Sequence, residues 1–81
     1  MTPDMTRVVL ADNIRAYRHL RRLHQANIGE RMHQAGHSTW HQVTVSEIEC
    51  NRRNVTVPEL VSITEILGVT IDQLLNPAGP N

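Results

Sequence analysis

The sequence predicts an all-α fold, a compact bundle of five helices. Three observations lead there. Apolar residues recur at three- and four-residue steps, as at Leu10, Ile14 and Tyr17 and again at Leu60, Ile63 and Leu67. Helix punctuation separates those stretches: Thr56-Val57-Pro58-Glu59 and Thr70-Ile71-Asp72-Gln73 read as capping boxes, and Gly36, Asn51 and Gly68 stand where helices can end in a left-handed residue. The one run with strand composition, Val43-Thr44-Val45, has no second strand to pair with.

An 81-residue chain makes one domain, and its apolar content of 40% is ordinary for a globular one. With no Phe, one Trp and one Tyr, the core must be built mainly from Leu, Ile, Val and Met. A chain this short buries only about 60–65% of its unfolded surface, so the helices must pack with few wasted positions. No apolar run approaches the roughly 18 residues needed to span a bilayer. The opening Met-Thr-Pro-Asp lacks the features of a secretory signal, and a single cysteine, Cys50, cannot close an internal disulfide. These features predict a cytoplasmic protein. The expected organisation is a flexible N-terminus over 1–6, a helical domain over 7–76 and a flexible tail over 77–81.

Each element has its own signal. The first helix starts at Thr6 or at Asp12, where Asp12 and Asn13 are also capping candidates, and ends near Leu23. The second runs from Gln25 to Ala35 with Ile28 and Met32 facing inward. Gly29 sits mid-helix, where glycine costs up to about 1 kcal/mol relative to alanine, and so predicts a close crossing by another helix. Gly36 ends this helix, and His37 to His41 form a turn in which Trp40 reads as a core plug. The third helix runs from Gln42 to Cys50, with Val45 and Ile48 inward and Asn51 as its left-handed terminator. Arg52, Arg53 and Asn54 form a loop. The fourth helix follows Thr56 and stops at Gly68. The fifth is short and carries Leu74 and Leu75.

Taken in order, Ile14, Arg18, Leu23, Gln25, Ile28, Val45, Ser46, Ile48, Glu49, Leu60, Ile63, Leu67, Val69, Leu74 and Leu75 resemble the pattern of the Cro/phage-repressor (XRE) family of helix-turn-helix proteins. The resemblance covers about residues 8–75. This chain departs from the pattern in three places. Gly29 stands where the family usually has Ala, Asn51 where it has Gly, and the segment between Met32 and Val45 is longer than the family's turn.

The resemblance implies a lambda-repressor-like fold whose third helix enters the major groove of DNA. Gln42, at the start of that helix, would pair with adenine, Val43 or Thr44 would meet a thymine methyl, and Ser46 would bond a base or a phosphate. Glu47 would accept from cytosine or stand as a plain surface residue. His41 joins this set at the helix entrance. Gln25, at the start of the second helix, would bond a phosphate and brace the reading side chain, aided by the backbone N–H groups there. Arg52, Arg53 and Asn54 would reach the phosphate backbone, or form only a solvated turn. Arg15, Arg21 and Arg22 read chiefly as surface residues. Arg18 and Glu49 are expected to form a structural ion pair between the first and third helices.

Net charge is zero, which is unusual for a nucleic-acid binder, but it is unevenly spread. Residues 1–34 hold six arginines against three carboxylates, and residues 35–81 hold two against five. All eight cations are arginine, the better bidentate phosphate ligand. The expected partners are double-stranded DNA at a pseudo-palindromic operator and a second copy of the chain as homodimer, with no membrane, cofactor or small-molecule substrate. From the length, no ligand-sensing domain is expected. No enzyme is expected, since no carboxylate pair, nucleophile elbow or phosphate loop is present. His33, His37 and His41 recur every four residues, but Gly36 should break the helix between them, so no metal site is expected. The alternative is a protein-interaction module, such as an antitoxin or antirepressor component, that keeps the fold.

Overall fold

The computed structural model describes residues 1–80. Its elements are α1 (Pro3–Leu20), α2 (Gln25–Gln34), α3 (Gln42–Glu49), α4 (Val57–Leu67) and α5 (Ile71–Leu74). The all-helical, five-helix expectation holds, and Val43 to Val45 lie in a helix.

The N-terminus is the clearest difference from expectation. α1 begins at Pro3, ahead of both anticipated starts and within the segment assigned to a frayed end. Thr2 explains it: its hydroxyl accepts the Met5 N–H at 3.2 Å. Pro3 fills the first turn, where a missing N–H has no cost, and Asp4 complements the helix dipole. Asn13 does not cap a helix. It is buried within α1, and its amide donates to the carbonyls of Leu74 (2.7 Å) and Asn76 (2.8 Å), which ties α1 to the end of α5. Beyond α5, Gly79 donates to the Asn76 carbonyl at 3.0 Å, so the segment expected to be a loose tail begins with a turn. Asn81 lies outside the described residues.

Three helix ends are closed in one way. After α1, Leu23 donates back to Arg18 and Arg22 to His19. After α2, His37 donates to Met32 and Gly36 to His33, and after α3, Arg52 donates to Glu47 and Asn51 to Ile48. This paired 6→1 and 5→2 pattern needs one left-handed residue at each end. Gly36 and Asn51 were legible as such residues, but Arg22 (φ 57°) was not, and so α1 ends three residues before the expected Leu23.

The core joins Ile14 and Tyr17 of α1, Ile28 and Met32 of α2, Trp40, Val45 and Ile48 around α3, Ile63 and Leu67 of α4, and Leu74 of α5. Every helix contributes, as a domain of this size requires. Among the described residues no helix is long and apolar enough to cross a membrane.

Candidate nucleic-acid interface

The geometry of α3 is set by what packs beneath it. A Cβ on Gly29 would lie 2.6 Å from the His41 carbonyl carbon and 2.8 Å from the Gln42 nitrogen. The close crossing anticipated at Gly29 is therefore the contact of α2 with the backbone that opens α3. The same backbone is fixed from the other side by Thr44, whose hydroxyl accepts the His41 N–H at 3.1 Å. Val43 or Thr44 was expected to meet a thymine methyl. Thr44 is buried, with its hydroxyl used in capping its own helix, whereas Val43 is exposed.

The remaining α3 side chains divide by face. Val45, Ile48 and Glu49 are buried, whereas Gln42, Val43, Glu47 and Cys50 are exposed and Ser46 is half-buried. Val43 is 67% exposed, a large apolar side chain left in water on this face. His41, Arg52 and Asn54 are exposed at the two ends of the helix.

The Arg18–Glu49 pair forms as the resemblance implied. Arg18 donates to the carboxylate through Nε at 2.6 Å and a terminal nitrogen at 2.9 Å, and the Glu49 side chain is 0% exposed. Gln25 adds a bond at 3.1 Å, and Arg15 lies 3.7 Å away. Burial alone would raise the Glu49 carboxyl, but the bonds from Arg18 and Gln25 outweigh it and hold the group below its ordinary range. Hydrogen bonding to Glu49 raises Arg18 in turn. Gln25 thus braces Glu49 at the far end of α3 and not the reading side chain that the resemblance implied, and the residue is half-buried at the start of α2.

A second cluster was not foreseen. Glu59 accepts the Trp40 indole N–H at 2.7 Å, both terminal nitrogens of Arg53 at 3.1 and 2.9 Å, and the Thr56 N–H at 2.9 Å. The Arg53 guanidinium also sits over the Trp40 ring, 5.3 Å from its centroid. Arg53 is therefore not the free loop cation that sequence suggested: Glu59 and the ring engage it. Burial pushes the Glu59 carboxyl up, yet the bonds from Arg53, Thr56 and Trp40 prevail and set it at about 2. Trp40 is a core plug as read, at 1% exposure, with a specific bond in addition. Arg21 also has a structural partner, donating to the Leu67 carbonyl at 2.8 Å, where it satisfies the end of α4.

An open cleft of about 320 Å³ runs between α2 and the start of α3, lined by Ala26, Gly29, Glu30, His33, Trp40, His41 and Gln42. The His33 and His41 rings stack across it with centroids 6.2 Å apart. His37 turns elsewhere, 2.9 Å from the Ser62 hydroxyl, so the three histidines do not share a face.

No family model matches the chain. Among curated proteins it is similar to the control protein C.SmaI of Serratia marcescens, with 30% identity over 71 residues that cover 88% of this chain and 77% of that one. Among solved structures it is similar to a hypothetical transcription factor, NHTF, from Neisseria. The TM-score is 0.76 and the identity 26%, over 95% of this chain and 83% of the other.

Proposed function

We propose a function from one premise: the chain belongs to the family of the control protein C.SmaI. On our reading it is a small transcription regulator that binds duplex DNA with α3 in the major groove. The observation that carries this reading is the bare row on α3, where Gln42, Val43 and Glu47 are exposed although the helix is anchored from beneath at Gly29, Thr44 and Glu49.

Gln42 would pair with adenine, Val43 would meet a thymine methyl, and Ser46 and Glu47 would complete the base contacts. His41, Arg52, Asn54 and the start of α2 with Gln25 would hold phosphates and set the register. We leave Thr44 and Arg53 out of this contact set, since Thr44 is buried and both terminal nitrogens of Arg53 are held by Glu59. One short helix reads too few base pairs for genomic specificity. We therefore propose a homodimer on a pseudo-palindromic operator with half-sites about one helical turn apart. Bound there, it would act by excluding polymerase or a competing regulator, in the cytoplasm. Met5 and Val8 on α1 and Ile71 on α5 are among the exposed apolar residues that a second copy could cover.

The test is a gel shift with random-core duplexes at low and moderate salt, followed by selection of the bound sequences. A symmetric consensus is expected, with log affinity falling against log salt at a slope of roughly −0.9 per neutralised phosphate. Zero net charge and the exposed Met1, Met5 and Val8 favour one second reading, a protein-interaction module. Absence of any shift, together with co-purification of a protein partner, would select that reading instead.

A further inference from the structure

We propose that Glu59 is a positioning residue that aims α3 by holding the segments on both sides of it. The inference rests on the reading of α3 as the DNA-contacting helix. α3 spans Gln42–Glu49. Trp40 stands just before it and Arg53 just after it, and the two converge on one carboxylate, with donors at 2.7 Å from Trp40 and at 3.1 and 2.9 Å from Arg53. The Thr56 N–H, at 2.9 Å, fixes that carboxylate to the start of α4. The entry and exit of the helix are thereby referred to a single point on a different helix. Arg53 also lies 5.3 Å from the centroid of the Trp40 ring, so the two flanks touch each other directly.

The remaining contacts of α3 cannot set its tilt in the same way. Val45 and Ile48 bury apolar surface, and that attraction has no preferred direction. Gly29 limits how closely α2 and α3 approach, and Glu49 fixes the far end of the inner face. Hydrogen bonds are directional, and the Glu59 set is the one that spans both ends. Reading base edges requires side chains held within about 0.5 Å of the productive geometry. Phosphate attraction is far more tolerant of a small rotation and carries no sequence information. Loss of the Glu59 bonds should therefore reduce discrimination between sequences more than it reduces general affinity.

Two variants of the full chain test this: Glu59→Gln, and Trp40→Phe, which keeps an aromatic plug but removes the N–H donor. The probes are the duplex most enriched by the wild type from a random-core pool and a scrambled duplex of equal length and composition. Each protein is measured at a temperature where circular dichroism shows it folded. Glu59→Gln should lower the ratio of selected to scrambled affinity about tenfold, with scrambled affinity kept within about twofold. Trp40→Phe should lower the ratio in the same direction by about threefold. A wild-type ratio in the folded variants overturns the proposal. If Glu59→Gln does not fold, Trp40→Phe decides alone by the same criterion. A second arm needs no DNA: in amide NMR spectra of Trp40→Phe, resonances should shift along the whole of α3. Shifts confined to neighbours of residues 40 and 59 would overturn the proposal. A wild type that enriches no sequence would sink the DNA reading, and the NMR arm would still decide the positioning role.

Discussion

Two buried carboxylates hold α3, Glu49 at its last residue and Glu59 from α4, and they are built on different plans. Glu49 reaches across 31 residues to Arg18 and also collects Gln25, so it joins α1, α2 and α3. Its side chain is 0% exposed and its principal partner only 10%. Glu59 takes its cation from six residues away, and Arg53 keeps 30% of its side chain exposed. The first cluster is sealed and joins distant helices, so it governs whether the bundle assembles. The second draws the two flanks of α3 onto one carboxylate and lies closer to water, so it governs how one helix is held within an assembled bundle.

The largest effect should come from the sealed cluster. Glu49→Ala leaves the Arg18 guanidinium buried without its partner, at a cost of about 3–5 kcal/mol. That is a large share of the roughly 5–15 kcal/mol that keeps a small domain folded. Urea unfolding followed by circular dichroism measures it. A loss under about 1 kcal/mol would place Glu49 with ordinary surface pairs and erase the contrast.

Gly29→Ala should come next, at roughly 1–3 kcal/mol. The added carbon meets the backbone of His41 and Gln42, not a flexible side-chain end. A neutral result in the same unfolding assay would mean that the start of α3 moves freely, which neither cluster would then be restraining.

Acid sharpens the comparison for Glu59. Its carboxyl is depressed from the ordinary 4.5 to about 2 in the folded chain. A depressed carboxyl stabilises fully above its unfolded value and loses that contribution as pH falls through the folded one. The stability difference between wild type and Glu59→Gln should therefore be constant near neutrality and shrink between pH 4.5 and 2. A difference independent of pH across that window would show that the charge is not what holds Trp40 and Arg53.

The smallest effect belongs to the bare face. Val43→Ala and Glu47→Gln should each change stability by less than about 0.5 kcal/mol. A larger loss in the unfolding assay would mean that these side chains pack against the chain's own residues.

Most of the fold was legible because helix periodicity and end signals are local. Thr56–Glu59 and Thr70–Gln73 form the capping boxes their sequences announce. Gly29 was readable because glycine inside a helix needs a reason, and the reason is the backbone at His41. The start of α1 lies earlier than expected because the apolar repeat becomes visible only further along, while Thr2 and Pro3 carry the helix-start signal. The Arg18–Glu49 pair came from an ordered resemblance, since nothing in the composition joins residues 31 positions apart. The Glu59 cluster was missed for a different reason. In sequence Glu59 reads as a cap, Arg53 as a loop cation and Trp40 as a core plug. Each assignment was locally sufficient, and only the tertiary arrangement brings all three onto one carboxylate. Thr44 is a parallel case: sequence offers it beside Val43 as a residue that could meet a thymine methyl, but its hydroxyl closes the cap at His41.

The most direct test of the account compares selected binding sites for the wild type and for Gln42→Ala, both drawn from one random-core duplex pool. The account predicts that the variant keeps the symmetry and length of the site but loses preference at one base position in each half, a discrimination worth about 1–3 kcal/mol. Identical preferences at every position would contradict it and remove α3 from the reading role.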